Sequence, residues 1–304
     1  MRVIRPSTMS EALLLSENVS ETLPAWSSTT NYVVGNKVHY INGGIHHGVY
    51  TSVTSNINKP PNLNDGDWVR EGPTNTYAMF DSQISTQTTG VTDITAEVLT
   101  GETDSVALLN LVGASVTVTV TDPAAAVNPV YTSTQSLQGS TMLDWFDYFF
   151  FDPSDQRTQA IFLGIPISSA TARTAFTVSA APGAPVAIGS FVFGRISELG
   201  KTNYGLSAGV IDYSVKETDQ YGVTTFIVRD YSKRLTADIQ INNIDLNRVQ
   251  RTLYALRAKP AVWLATEDAR YEETSIVYGF YRDFSVSIAY PTHSTCSLEI
   301  EGLI

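Results

Sequence analysis

Ile244-Asp245-Leu246-Asn247-Arg248-Val249-Gln250-Arg251-Thr252-Leu253-Tyr254-Ala255-Leu256-Arg257-Ala258 is the clearest amphipathic helix in this 304-residue sequence, and it is set among strands. Leu246, Val249, Leu253 and Leu256 recur at spacings of three, four and three. That spacing puts them on one face of a 3.6-residue helix, while Arg248, Arg251 and Arg257 face elsewhere. Asp245 is placed to accept hydrogen bonds from the free amides of the first turn, with Ile244 and Val249 as a hydrophobic staple across it. Lys259 suits the negative end of the helix dipole, and Pro260 cannot continue the ladder.

Strand-like runs flank the helix: 224–228 and 237–242 before it, then 261–265, 275–281, 284–290 and 295–300. Phe284, Val286, Ile288 and Tyr290 alternate with Ser285, Ser287 and Ala289, the period-two signature of a sheet with one buried face. One helix covers one side of such a sheet. The remainder must close on itself, pack on a second sheet or meet a neighbouring subunit, because a long open edge invites pairing. The last sixty residues and the strands before them are therefore expected to form a sheet flanked by one α-helix.

Working outward, residues 75–195 read as all-β. Residues 106–111 and 115–121 are strands, the second in strict alternation, with a turn at Gly113-Ala114; 160–167 and 174–179 continue the pattern. Turn clusters at Asp122-Pro123, Asn128-Pro129, Asp152-Pro153 and Ala181-Pro182-Gly183 suit a β-sandwich of jelly-roll type. The aromatic knot 145–151 is bounded by Asp144, Asp147, Asp152 and Asp155, which lack the spacing of an EF-hand. A hydrophobic strand between solvated turn acids is the preferred reading over a calcium site.

Residues 21–74 form a compact aromatic segment in which Trp26, Tyr32, Val38, Tyr40, Tyr50 and Trp68 are separated by glycine and proline turns. Residues 1–20 read as an extended arm with one helical turn around 10–16. The apolar Val3, Ile4 and residues 13–15 favour docking of that arm on a partner over disorder. The chain as a whole is thus expected to be mainly β, in four consecutive parts.

Composition narrows the function. A formal net charge of −11, with none of the 19 Lys and Arg gathered into a run, argues against a nucleic-acid surface. The single cysteine, Cys296, excludes an internal disulfide framework and reads as a buried small apolar residue in a strand. No stretch of about eighteen uncharged apolar residues occurs, so no membrane span is expected, and no signal-peptide pattern follows the N-terminus.

Catalytic and cofactor patterns are sparse. Gly205-Leu206-Ser207-Ala208-Gly209 fits the G-x-S-x-G pattern, but a strand, not a helix, is expected after it, and His293 has no evident reason to meet Ser207. His46 and His47 are adjacent and would point to opposite faces of a strand, so with His39 they make a poor metal set. There is no Walker A loop, and no cofactor or enzymatic activity is expected.

Two resemblances sharpen this. The layout Trp26…Tyr32-x-x-Gly35-x-x-Val38-x-Tyr40…Tyr50…Pro60-Pro61…Trp68 resembles the small chitin-binding modules of carbohydrate-binding families 5 and 12. In that family exposed aromatics stack on sugar rings, which implies Trp26, Tyr32, Tyr50 and Trp68 as stacking residues. The sequence departs from the family after Tyr50, where 51–56 lacks the tryptophan that commonly follows. The alternative reading makes these aromatics the mini-core of a small fold.

The second resemblance rests on Gly205 to Asp219, Lys233-Arg234-Leu235-Thr236-Ala237-Asp238, the helix, Ile276 to Phe284 and the ending Cys296-Ser297-Leu298-Glu299-Ile300-Glu301-Gly302-Leu303. These look like the C-terminal part of tail-tip or baseplate structural proteins of tailed bacteriophages. The likeness implies a ring-forming homo-oligomer in the virion tail, alongside tube, hub and fibre proteins, with residues 196–304 as the assembly domain, a β-sandwich or barrel flanked by one α-helix. A host-glycan-binding protein is the alternative. Under the first reading, deleting residues 1–74 is expected to leave particle assembly intact.

Overall fold

The computed structural model describes residues 1–42, 46–138, 156–266, 272–288 and 290–303, together with Trp145 and Phe149. The chain is mainly β and divides into two compact units: Met1–Ser7 with Phe193–Ile304, and Thr8–Val192. The longer unit is therefore an insertion between the first strand of the other unit and the rest of it.

In the C-terminal unit the amphipathic stripe does what its spacing demands. The helix spans Leu246–Ala255, with Val249, Leu253 and Leu256 buried and Leu246 packed against the same core. Opposite it lie Leu235, Ala237, Ile239 and Ile241 of the strand Tyr231–Asn242, and Cys296, Leu298 and Ile300 of His293–Gly302. Each such side chain taken fully out of water is worth about 1.5–3 kcal/mol, so the helix is held chiefly by this face. Trp263 is wholly buried, and its indole N–H donates to the Gly279 carbonyl at 2.9 Å.

All ladders of this unit are antiparallel. The order runs from the 193–198 portion of Pro185–Glu198 through Arg2–Pro6, Ala261–Leu264, Ile276–Ser287 and His293–Gly302 to Tyr231–Asn242. Lys201–Thr202 and Ser207–Asp212 both pair with the far side of Tyr231–Asn242. Gly279 sits where an added Cβ would collide with the Glu301 carbonyl oxygen, which explains glycine in the middle of a strand.

Four expectations are corrected. Residues 2–6 are a strand of this sheet, not an arm awaiting a partner: Val3 and Ile4 are completely buried, and the Met1 ammonium donates to the Gly200 carbonyl. The unit also begins at residue 193, not 196. The runs 275–281 and 284–290 are one strand, Ile276–Ser287, bent by a register shift between Tyr281 and Asp283. The staple at the helix start is absent, since Ile244 is 95% exposed and Asp245 makes no side-chain cap, its carboxylate lying 3.3 Å from Arg248 Nε instead.

The inserted unit contains two antiparallel sheets and the aromatic module. One sheet has the order Tyr131–Ser136, Ser115–Thr121, Arg173–Ser179, Asp93–Leu99, Leu14–Glu17. The other includes Gln159–Leu163, Ser105–Val112, the first residues of Pro185–Glu198, and Thr88–Val91. Strict alternation in Ser115–Thr121 buries Val116, Val118 and Val120, and the rings of Phe176 and Phe191, one from each sheet, stack at 4.5 Å. This is the expected β-sandwich. The turn at Gly113-Ala114 passes from one sheet to the other, and an added Cβ on Gly113 would press on Val178.

Candidate functional site

The first candidate is the aromatic module. Its short strands, Asn31–Tyr32, Lys37–Asn42, His46–Ser52, Asn56–Ile57 and Trp68–Gly72, surround a core of Tyr32, Val38, Tyr50 and Trp68, with Trp26 and Tyr40 packed against it. The rings meet edge to face: Trp26 on Tyr40 at 5.5 Å, Tyr40 on Tyr50 at 6.4 Å, Tyr32 on Trp68 at 5.1 Å. Two polar ends are satisfied inside, with Tyr32 Oη accepting from the Ser27 amide at 2.7 Å and Trp68 Nε1 donating to the Lys59 carbonyl at 3.0 Å, whereas Trp26 Nε1 is buried without a partner.

This corrects the sugar-stacking assignment. Tyr32, Tyr50 and Trp68 are 5%, 6% and 2% exposed and so offer no open ring face for a sugar to stack on, and Trp26 is half-buried against Tyr40. Among the described residues of 21–74 no aromatic side chain stands exposed; the exposed apolar groups are aliphatic, such as Val34 and Leu63. The module does offer a depression of about 290 Å³ lined by Tyr50, Asn62, Asp65, Trp68 and Arg70. Asn62 Oδ1 there is buried without a hydrogen-bond partner.

Two exposed ion pairs cross the module, Lys59 with Asp67 and Lys37 with Glu71. Lys59 and Thr54 hold the Asp67 carboxyl below its ordinary value, and Lys37 with Thr51 does the same for Glu71. At its border with the sandwich, the His47 ring lies flat on Tyr77 at 3.6 Å, with Nε2 3.4 Å from Glu11. Burial, reinforced by the Glu11 charge, pushes the Tyr77 hydroxyl up to about 12.

The second candidate was not singled out from sequence. Ser207–Asp212 extends along Tyr231–Asn242, and the ribbon continues past the sheet as the hairpin Val215–Thr218 with Thr224–Ile227. At its tip Asp219 accepts the Tyr221 and Val223 amides, and Gly222 supplies the left-handed conformation at φ 81°. Residues 213–230 project roughly 25 Å at strand rise. Val210, Tyr221, Val223, Phe226, Val228 and Tyr231 are all largely exposed, Tyr221 at 82% and Val228 at 85%. Lys216 and Phe226 stand directly opposite, with the ammonium 5.9 Å over the ring. The sequence shows the strand at 224–228, but Phe226, Ile227 and Val228 read there as members of a buried strand.

The remaining motifs are dispersed. Ser207 opens an edge strand, not a strand-to-helix turn, and pairs with Thr236, whereas His293 pairs with Asn242, roughly 20 Å further along the same strand. His39 bonds the Leu23 carbonyl through Nδ1 at 2.7 Å. No group of three or more His, Cys, Asp or Glu suited to a metal occurs among the described residues. The side chain of His46, and of the knot 145–151 with Asp144, Asp147, Asp152 and Asp155 all but Trp145 and Phe149, lie outside the described residues. No helix is long and apolar enough to cross a membrane. No family model matches the sequence, and no curated protein matches it.

Proposed function

We propose that this chain is a structural subunit of a bacteriophage tail tip or baseplate, one that assembles with copies of itself and presents its inserted unit for fibre docking or host attachment. The observation supporting assembly is the arm. An isolated two-stranded ribbon is marginal in water, and one that exposes Tyr221, Phe226 and Val228 gains stability only when a neighbour covers them. The resemblance of residues 205–219, 233–238, the helix, 276–284 and 296–303 to tail-tip proteins supports a ring as the form of that assembly. Electron microscopy of the purified full-length chain tests this: annular particles of one diameter are expected, and a field of single chains at every concentration contradicts it.

A second reading, recognition of a host glycan, is favoured by one feature, the depression beside Tyr50 and Trp68. Asp65, Arg70 and Asn62 supply donors and acceptors for one sugar ring next to apolar walls. Loss of glycan-array binding in Arg70→Ala, with the fold intact, is the expected result; unchanged binding rejects the depression as the site.

A further inference from the structure

The arm and the helix of the C-terminal unit have opposite character. Between residues 212 and 230 the arm bears Asp212, Glu217, Asp219 and Asp230 against Lys216 and Arg229, and Lys216 is occupied by Phe226. The exposed side of the helix and its C-terminal end present Arg248, Arg251, Arg257 and Lys259, with Asp245 alone opposing them beside Arg248. Tyr254 is 59% exposed on that side and rests against Phe284 at 5.9 Å, an aromatic platform among guanidinium groups.

We infer that the arm of one copy docks across the Arg251–Tyr254–Arg257 face of the helix in a second copy; this rests on the ring-forming reading above. Size supports the pairing, since Tyr221, Val223, Phe226 and Val228 of the arm are each more than 60% exposed, and a standard interface takes ~800 Å² out of water on each partner. Charge selects the occupant. Arm against arm brings acids together, and copies of a chain with net charge −11 repel unless a basic face meets an acidic one. The arm and the helix face are different patches, so they can be exchanged within a pair or passed head to tail; the ring-forming reading takes the second, each copy using its arm on one neighbour and its helix on the other until the series closes.

The test uses full-length chains of different electrophoretic size carrying Val223→Cys in the arm or Ala255→Cys on the helix, with buried Cys296 retained. On mild oxidation the mixed sample is expected to give a cross-linked pair of one chain of each size, and neither variant alone a cross-link. Arg251→Glu with Arg257→Glu should reduce the cross-link at least tenfold, and adding Glu217→Lys with Asp230→Lys should restore it. Cross-linking by either variant alone, or an oligomer of unchanged mass with no mixed cross-link, overturns this docking while leaving the ring. Single chains at every concentration overturn both.

Discussion

Cys296 stands between Ile239 across one ladder and Val286 across the other, completely buried, and burial pushes its thiol up to about 11. A thiol held neutral and out of water does not attack a disulfide reagent. At pH 8 the native chain is expected to leave a chromogenic disulfide reagent unreacted, and one equivalent of thiol to appear in denaturant; rapid reaction of the native chain contradicts this burial. Tyr77 gives a second residue-level check. Its phenol ionises in the folded chain only at about 12 against 10 when unfolded, so the folded state holds the proton more tightly and stability falls as pH rises from 10 towards 12. Denaturant midpoints across that range should fall less in Tyr77→Phe than in the parent chain. At this scale the sequence was half legible. Cys296 could be read from its place in an alternating strand. Trp26, Tyr32, Tyr50 and Trp68 could be read as a cluster, but spacing alone does not distinguish rings that face a ligand from rings that face each other, and here the edge-to-face contacts decide.

The strand Arg2–Pro6 is the element whose role sequence concealed. Its apolar pair Val3-Ile4 marks it as buried, but its partners, 194–198 and Ala261–Leu264, lie about 190 and 260 residues away. Pairing at such separation leaves no local signature, whereas the helix Leu246–Ala255 announces itself through a 3.6-residue period. Deleting residues 1–7 is therefore expected to expose the edges of two strands and unfold the C-terminal unit, seen as loss of its cooperative thermal transition. An unchanged transition contradicts the strand's place in the sheet. Deletion of 1–74, which the serial reading makes harmless to assembly, removes this strand as well and is expected to abolish it. The arm was illegible for a different reason. Val223, Phe226 and Val228 have the composition of a buried strand, and only the structure leaves them with nothing to bury against. Replacing Phe226 with Ser is expected to leave the thermal transition of the full chain within about 0.5 kcal/mol, as for an exposed site, while weakening self-association.

The molecule as a whole is an insertion. Thr8–Val192 interrupts the C-terminal unit after its first strand, so the four consecutive segments read from sequence become two units with shared chain crossings at residues 7–8 and 192–193. Composition reported mainly-β structure correctly because alternation is local; it could not report nesting, which is a property of distant pairings. The architecture has a functional corollary. A residue 196–304 fragment lacks the strand Arg2–Pro6 and is expected not to fold on its own, so assembly is to be measured on the whole chain. The most direct measurement of self-association through the arm is light scattering of the full-length protein over a range of concentrations, beside a variant in which residues 213–230 are replaced by a short Gly-Ser turn. A discrete multiple of the single-chain mass for the parent, falling to one chain for the variant, is the predicted result. A parent that stays at one chain throughout, or a variant that keeps the parent's mass, would contradict it.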